Sequence, residues 1–372
     1  MSERFEGESL EPELGSKLEE AEARAPSARE IEAIVERAEA PTRTFAGRLG
    51  TLLSGALILM SLYHLYAVVT TIPTQLFRAS HLLFVLPLAF LFYPAHRAHK
   101  DRIRAYDLLL ALGAVVATGY ILVTFDAFIE RSVTPTGLDI ALGALLILLI
   151  LEATRRTIGL FLAGLVSAFL LYAFYGNVLP GGWAHRGYDL ERVVGHLYMT
   201  LEGIFGVPLD VAATYIILFT IYGAVIDASN AGSFFVKLAF AAVGDNRSGV
   251  GRGVLLASFL LGGPSGSGVA TTVTVGTVTW PMLKRAAYPK TAAAGLLAAG
   301  GIGAVISPPV LGAAAFLIAE FVQVSYLTVL AYSLIPTLLY YLGVLLMLEL
   351  DARRFDLRPV ALERVAVLPL VG

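Results

Sequence analysis

A glycine- and serine-rich run interrupts an apolar stretch of the chain at positions 262–268, where the sequence reads Gly-Gly-Pro-Ser-Gly-Ser-Gly. Such a run exposes backbone N–H groups, carbonyl oxygens and hydroxyls. Within a bilayer, irregular backbone is tolerated only where it is buried in protein or lines a water-filled cavity. The run is therefore typical of a site that contacts a small solute or an ion.

The two sides of this run predict two kinds of contact. A helix that begins at the run directs its positive N-terminal dipole at it, which favours an anion. The residues expected to contact the solute are Ser265, Gly266, Ser267, Gly268 and Thr271. A helix that ends at the run offers carbonyl oxygens, which suit a sodium ion. Its expected ligands are the carbonyl oxygens of Gly262, Gly263 and Ser265.

A second interruption follows at Ser307-Pro308-Pro309, after the small apolar residues 291–306. Proline lacks an N–H, and Pro309 disfavours helical geometry at Pro308, so a helix should break here. Paired interrupted helices are the best sequence indicator of a secondary-transporter site. We therefore predict that Gly303, Ser307 and Pro308 lie opposite the first run, the alternative being close helix packing or a simple kink.

Two acidic residues adjoin or interrupt apolar segments, where charge is rare and usually functional. Asp227 and Glu320 are predicted to line or gate a pathway, or else to lie at the membrane interface. Glu202 precedes an amphipathic stretch and is expected either to contact a partner protein or to cap a helix.

The composition predicts an all-α integral membrane protein. Of 372 residues, 57% are hydrophobic and 15% are charged, whereas soluble domains are about 25% charged. There is no cysteine, which excludes disulfides and thiolate metal sites. Residues 1–40 hold 12 of the 29 acidic residues. The chain therefore lacks the basic field of a nucleic-acid-binding protein, and its expected surroundings are membrane lipid.

Seven stretches are predicted to form membrane spans because each supplies nearly enough apolar residues to cross the bilayer. They are 49–71, 78–93, 106–126, 138–152, 157–175, 209–227 and 326–348. A broken helix over 290–322 brings the prediction to about eight crossings.

Lysine and arginine excess marks the cytoplasmic side, and it predicts that both chain ends are cytoplasmic. Both ends of segment 248–285 lie beside such basic residues. The segment is therefore predicted to enter the membrane and return as a re-entrant helical hairpin. Its arms, Val254–Leu261 and Val269–Leu283, each look too short to span alone.

Several ordered motifs lie between about Arg43 and Asp356. They are Leu151–Gly159, Glu202–Pro208, Ser265–Ser267, Pro281–Arg285 and Pro308–Glu320. Together they resemble the fused small-plus-large membrane subunit of TRAP transporters, in the branch that works with TAXI-type solute-binding proteins. The resemblance implies a sodium-coupled elevator importer that receives a carboxylate from a periplasmic binding protein. It also implies a bacterial or archaeal cytoplasmic (inner) membrane.

The resemblance also suggests how the chain is divided. We expect an acidic cytoplasmic N-terminal tail over 1–48, a small-subunit-like region over 49–175 and an external amphipathic connection over 176–208. The first repeat of the large subunit would occupy 209–350, and a cytoplasmic C-terminal tail would occupy 351–372. The second repeat of such an elevator-type, inverted-repeat transporter lies outside this sequence. A separate polypeptide or another copy is expected to supply it, unless the chain is a fragment.

Three positions depart from the family pattern. Thr271 stands where Asn is frequent, Leu297 where Glu is frequent, and Gly301–Val305 where a Ser-Thr-Gly-Gly-Gln run is frequent. We therefore expect backbone groups to carry more of any binding.

The sequence also contains features of other classes of protein. Gly263-Pro264-Ser265-Gly266 resembles the Gly-x-Ser-Gly of rhomboid proteases, but all six histidines precede the serine, whereas rhomboids place the base on a later span. Sequence therefore predicts no enzyme and no catalytic residue. A channel with a carbonyl-lined filter and a non-transporting assembly subunit remain as alternatives. No P-loop is present, and no cofactor is expected apart from sodium as the coupling ion.

Overall fold

The computed structural model describes residues 42–96, 99–100, 102–132, 134–229, 231–244, 246–265 and 267–360. All regular elements in these ranges are helices, which confirms the all-α prediction. The predicted acidic tail up to residue 41, Gly266 and the end of the chain after residue 360 lie outside the described residues. Of Asp227 and Ser265, only the backbone is described.

The chain forms two compact units. The first, here called the N-terminal unit, contains residues 42–222 and 316–323. The second, here called the hairpin unit, contains residues 223–315 and 324–360. Each is described separately.

The N-terminal unit is a helical bundle. Its helices are α1 (Gly47–Val69), α2 (Thr74–Phe92), α3 (Ala105–Val123), α4 (Phe125–Glu130), α5 (Gly137–Thr157), α6 (Leu160–Tyr175), α7 (Leu190–Val194) and α8 (Val207–Val211). A π-helical turn, Ala212–Ile216, joins α8 to α9 (Ile217–Ala228), which continues into the hairpin unit.

The hairpin unit contains the remaining helices. They are α10 (Ala231–Ala242), α11 (Gly249–Ser265), α12 (Gly268–Arg285), α13 (Lys290–Ile306), α14 (Ala314–Val322) and α15 (Tyr326–Arg354). Most of α14 belongs to the N-terminal unit by its contacts. Sequence analysis predicted no helix at α10, whose 12 residues are too few for a span. Its buried residues Val236 and Phe240 pack in the same core as α11.

Seven helices in the described ranges are long and apolar enough to cross a membrane, and shorter apolar helices accompany them. The protein is therefore a multi-pass membrane protein. The seven agree with the predicted spans, although their ends differ. The last of them, for example, extends to Arg354 rather than stopping at residue 348.

The two arms of the hairpin, α11 and α12, are longer than predicted, with 17 and 18 residues. Glycines at both ends of α11 led sequence analysis to shorten it, because glycine is a poor helix former. Tertiary packing overrides that preference: Gly253 lies against the ring of Phe240, and Gly262 against Ala304. At 1.5 Å per residue each arm is about 26 Å long, so arm length alone does not make the hairpin re-entrant.

The segment predicted as an external connection is partly a core element of the N-terminal unit. Val194, Tyr198 and Phe205 are fully buried among residues of α2, α3 and α5. The hydroxyl of Tyr198 donates a hydrogen bond to the carbonyl oxygen of Ala117 on α3, at 2.7 Å. Its large apolar side chains explain this packing, and its location on the external side of the membrane stays a prediction.

A buried ion network ties together one end of the N-terminal unit. Asp107, at the start of α3, accepts hydrogen bonds from Arg43 at 2.8 Å and from Arg156, at the end of α5, at 2.6 Å. Arg156 also donates to Glu152 at 2.7 Å, and its guanidinium lies over the ring of Phe90. These contacts hold the helix ends together.

Candidate solute site at the hairpin tip and the helix break

The hairpin tip is the short turn between α11 and α12. Ser267 is the N-cap of α12, and its hydroxyl accepts a hydrogen bond from the N–H of Ala270 at 3.3 Å. Because α12 starts at Gly268, the positive end of an 18-residue helix lies at the tip. The sequence therefore placed this helix start correctly.

The break is a non-helical segment between α13 and α14. It covers residues 307–313, and its Pro308–Pro309 peptide bond is cis. Its own backbone folds back, since the N–H of Gly312 donates to the carbonyl oxygen of Val305 at 2.6 Å. The predicted interruption is thus present, and it turns the chain instead of kinking one helix.

The structure brings the tip and the break into close contact. The N–H of Val310 donates to the carbonyl oxygen of Gly263 at 3.2 Å. A Cβ added to Gly263 would lie 2.6 Å from the carbonyl oxygen of Pro308, and one added to Gly268 would lie 2.7 Å from that of Gly301. Only glycine allows this approach, because any side chain here would overlap backbone atoms.

Three side chains of α15 complete the break, and sequence analysis missed all three. The hydroxyl of Thr337 donates to the carbonyl oxygen of Ile306 at 2.6 Å, and that of Tyr340 to Ala299 at 2.8 Å. The hydroxyl of Tyr341 lies 3.0 Å from that of Ser307, which also donates to Gly303 at 2.6 Å. The last four carbonyls of a helix lack intrahelical partners. The bonds from Thr337 to Ile306 and from Ser307 to Gly303 therefore stabilise the broken end of α13.

A signal for these residues was present in the sequence. Positions 337, 340 and 341 are three and four apart, so they share one face of a helix. Polar groups on one face of an otherwise apolar span indicate a buried partner. Tyr326 acts similarly at the other side of the break, donating to the carbonyl oxygens of Pro309, at 3.0 Å, and Val310.

The contacts along α15 locate the break. Arg252, near the start of α11, pairs with Glu349, whereas the break contacts Thr337. Twelve residues of helix separate these two positions, or about 18 Å. The break therefore lies about halfway along α15, and the arms of the hairpin extend to the same level.

The predicted site residues differ in accessibility. Ser267, Gly268 and Pro308 are partly exposed, whereas Thr271, Gly303 and Ser307 are buried. In this conformation solute can reach only the first group, and a contact with Thr271 stays a prediction. The structure also adds Thr272, whose hydroxyl donates to the carbonyl oxygen of Gly268 at 2.8 Å and contacts α13.

The two predicted acidic residues lie apart from this cluster along the chain. Asp227 is near the end of α9, and its side chain is not described. Glu320 lies on α14, in the part that belongs to the N-terminal unit. Their predicted roles in a pathway or gate stay predictions.

The site has no formal charge of its own. Residues 253–283 and 291–319 contain no Asp, Glu, Lys or Arg. A charged solute or ion at the tip would therefore meet helix dipoles, carbonyl oxygens and hydroxyls. Such groups bind an anion at a helix start and a small cation at carbonyls.

Comparison with known proteins identifies the family of this region. Residues 145–367 match the family described as "Tripartite ATP-independent periplasmic transporter, DctM component". This stretch is more than half of the chain, and it contains the hairpin and the break. The chain belongs to this family.

Two relatives are named as TRAP transporter large permeases. The chain is 38% identical to the 2,3-diketo-L-gulonate TRAP transporter large permease protein of Escherichia coli (strain K12) over 91 residues. These residues are 24% of this chain and 21% of the relative. The chain is 31% identical over 109 residues to a Haemophilus influenzae protein that is named as a putative TRAP transporter large permease. These residues are 29% of this chain and 26% of that relative. The matched part of the chain thus spans a fifth to a quarter of these relatives. No solved structure matches the chain.

The family match begins at residue 145, within α5. Sequence analysis placed the start of the large-subunit repeat at residue 209. The boundary between small-subunit-like and large-subunit-like parts therefore stays a prediction.

Proposed function

We propose that this DctM component is a permease subunit that imports a small organic anion with sodium coupling. It would receive the anion from a periplasmic solute-binding protein of the TAXI type, in a cytoplasmic membrane. The chain would supply a fused small-subunit-like region and one large-subunit repeat.

The observation that carries this proposal is the meeting of a helix start and a broken helix end at the same level. The N–H groups at the start of α12 favour an anion at Ser267 and Gly268. The carbonyl oxygens of Gly262, Gly263 and Ser265 are proposed for sodium. Although Gly263 accepts a hydrogen bond from Val310, a carbonyl oxygen has a second lone pair for an ion.

The position of this site supports transport rather than anchoring. If α15 crosses the bilayer, the break lies about 18 Å from the Glu349 end, which is near the middle of a hydrocarbon core about 30 Å thick. Polar backbone at that depth requires a wet cavity or protein cover. A binding site that is reached from one side at a time meets this requirement.

Uptake into proteoliposomes tests the proposal. The full chain would be reconstituted with the binding protein and any membrane polypeptide encoded beside it. Because one relative is named for 2,3-diketo-L-gulonate, this sugar acid is the first labelled probe, followed by other carboxylates. We expect saturable accumulation that requires an inward sodium gradient.

Two results would contradict the proposal in different ways. Accumulation of equal size with potassium replacing sodium would refute the coupling. Uptake by Ser267→Leu at the wild-type rate would remove the tip from the site, because leucine would fill the approach to the start of α12.

A further inference from the structure

A second polar site is present at the base of the hairpin unit, away from the tip. It is a cavity of about 310 Å³ between the start of α11 and the last turns of α15. Its polar lining consists of Asn246, Arg247, Ser248, Arg252, Glu349 and Arg353. The transport proposal makes no use of it.

The charges around this cavity leave one cation without a direct salt bridge. Arg252 donates to Glu349 at 2.6 Å, and Arg247 donates to Asp356 at 2.9 Å. The guanidinium of Arg353 forms no hydrogen bond or salt bridge within the described part of the chain, and Glu349 attracts it without direct contact. The start of α11 adds the positive end of a 17-residue helix. The cavity therefore favours an anionic group.

The surface next to Arg353 indicates where that anion comes from. Leu350, Leu346 and Leu342 lie three, seven and eleven residues before Arg353, which places them on the same face of α15. They are 65%, 56% and 50% exposed. An acyl chain can lie along this apolar stripe while its headgroup reaches Arg353.

We propose that this cavity binds the phosphate of an anionic membrane phospholipid, with Arg353 as its principal ligand. A guanidinium presents paired N–H donors that match phosphate oxygens. Basic pockets at the cytoplasmic ends of membrane helices are suited to lipid headgroups. A free phosphate ion shares the chemistry of the headgroup but would gain nothing from the leucine stripe.

The neighbouring Arg354 provides a matched control. It lies about 100° around the helix from Arg353, does not line the cavity, and its guanidinium lies 5.4 Å from the ring centroid of Phe355. Both arginines are exposed, so neither Arg353→Gln nor Arg354→Gln should impair folding.

Native mass spectrometry of the full chain in detergent would measure binding of three probes: phosphatidylglycerol, phosphatidylcholine and inorganic phosphate. We expect phosphatidylglycerol to bind most tightly. Arg353→Gln should weaken its binding about tenfold, the size expected for one lost charge-assisted contact. Arg353→Lys should recover part of the loss, and Arg354→Gln should bind like wild type.

Three results would overturn the proposal. Equal weakening by Arg353→Gln and Arg354→Gln would show general surface attraction. Inorganic phosphate that binds as tightly as the lipid would make this a soluble-phosphate site. Phosphatidylcholine that binds as tightly as phosphatidylglycerol would remove the requirement for an anionic lipid. None of these results bears on sodium-dependent uptake, so this inference fails separately from the proposed function.

Discussion

The tip and break of the hairpin unit and the joined helix ends of the N-terminal unit are held together by different chemistry. At the tip and break, glycines and neutral hydroxyls contact backbone atoms, and no charged residue lies within 253–283 or 291–319. In the N-terminal unit, Asp107 joins Arg43 and Arg156 in a buried ion network.

The difference follows from what each arrangement can offer. In a buried ion pair each charge is compensated by the other. Such a pair tolerates little rearrangement, since removing one partner leaves an uncompensated charge. A glycine-lined junction keeps helix dipoles and second carbonyl lone pairs available for a ligand. The first arrangement suits a fixed support, and the second suits a binding site.

The largest effect is expected from breaking the ion network. Asp107→Asn would leave the buried Arg43 without a carboxylate and Arg156 with Glu152 alone. We expect a loss of about 3–5 kcal/mol in unfolding free energy. Asp126→Asn is the matched control, because Asp126 is exposed on α4. Denaturation in detergent would measure both. Equal stability of the two variants would show that the network contributes little.

A moderate effect is expected from filling the glycine junction. In Gly301→Ala the new Cβ would lie 2.5 Å from the carbonyl oxygen of Gly268, and such overpacking costs about 1–3 kcal/mol. Gly295→Ala on the same helix meets no atom within 4 Å and should be neutral or slightly stabilising. Thermal unfolding and uptake would be compared. If the two variants behave alike, the close approach of tip and break is not required.

A smaller effect on stability separates capping from binding at the tip. Ser267→Ala and Ser325→Ala each remove an N-cap hydroxyl, from α12 and α15 respectively, at a cost of about 1 kcal/mol. Only Ser267→Ala should also raise the KM for uptake, since only that cap lies at the proposed site. A raised KM in both variants would point to general destabilisation.

The smallest effect is expected at the hydroxyls that support the break. Tyr341→Phe removes a partner of Ser307 and should cost about 1 kcal/mol or less. Tyr332 on the same helix is 72% exposed, so Tyr332→Phe should cause no measurable loss of unfolding free energy. Unfolding and the sodium dependence of uptake would be measured. An unchanged sodium dependence in Tyr341→Phe would mean that this hydroxyl supports the helix only.

Sequence reasoning located the tip because its signals are local. A glycine- and serine-rich run between two apolar segments indicates an interruption, and a double proline predicts a break. It misjudged the length of α11 and omitted α10, because packing partners distant in sequence decide whether glycines stay helical. It also missed Thr337, Tyr340 and Tyr341, whose acceptors lie 31 to 41 residues earlier in the chain.

The amino-acid sequence by itself determined the membrane character, the helical class and the two interruptions, since apolar length and backbone chemistry depend on neighbouring residues alone. Only the tertiary structure decided that the interruptions meet and that α15 completes the broken end. It also decided that, of the three arginines lining the cavity at the base of the hairpin unit, Arg353 forms no salt bridge among the described residues. Those facts depend on which distant groups come within hydrogen-bond distance, and no local pattern specifies that.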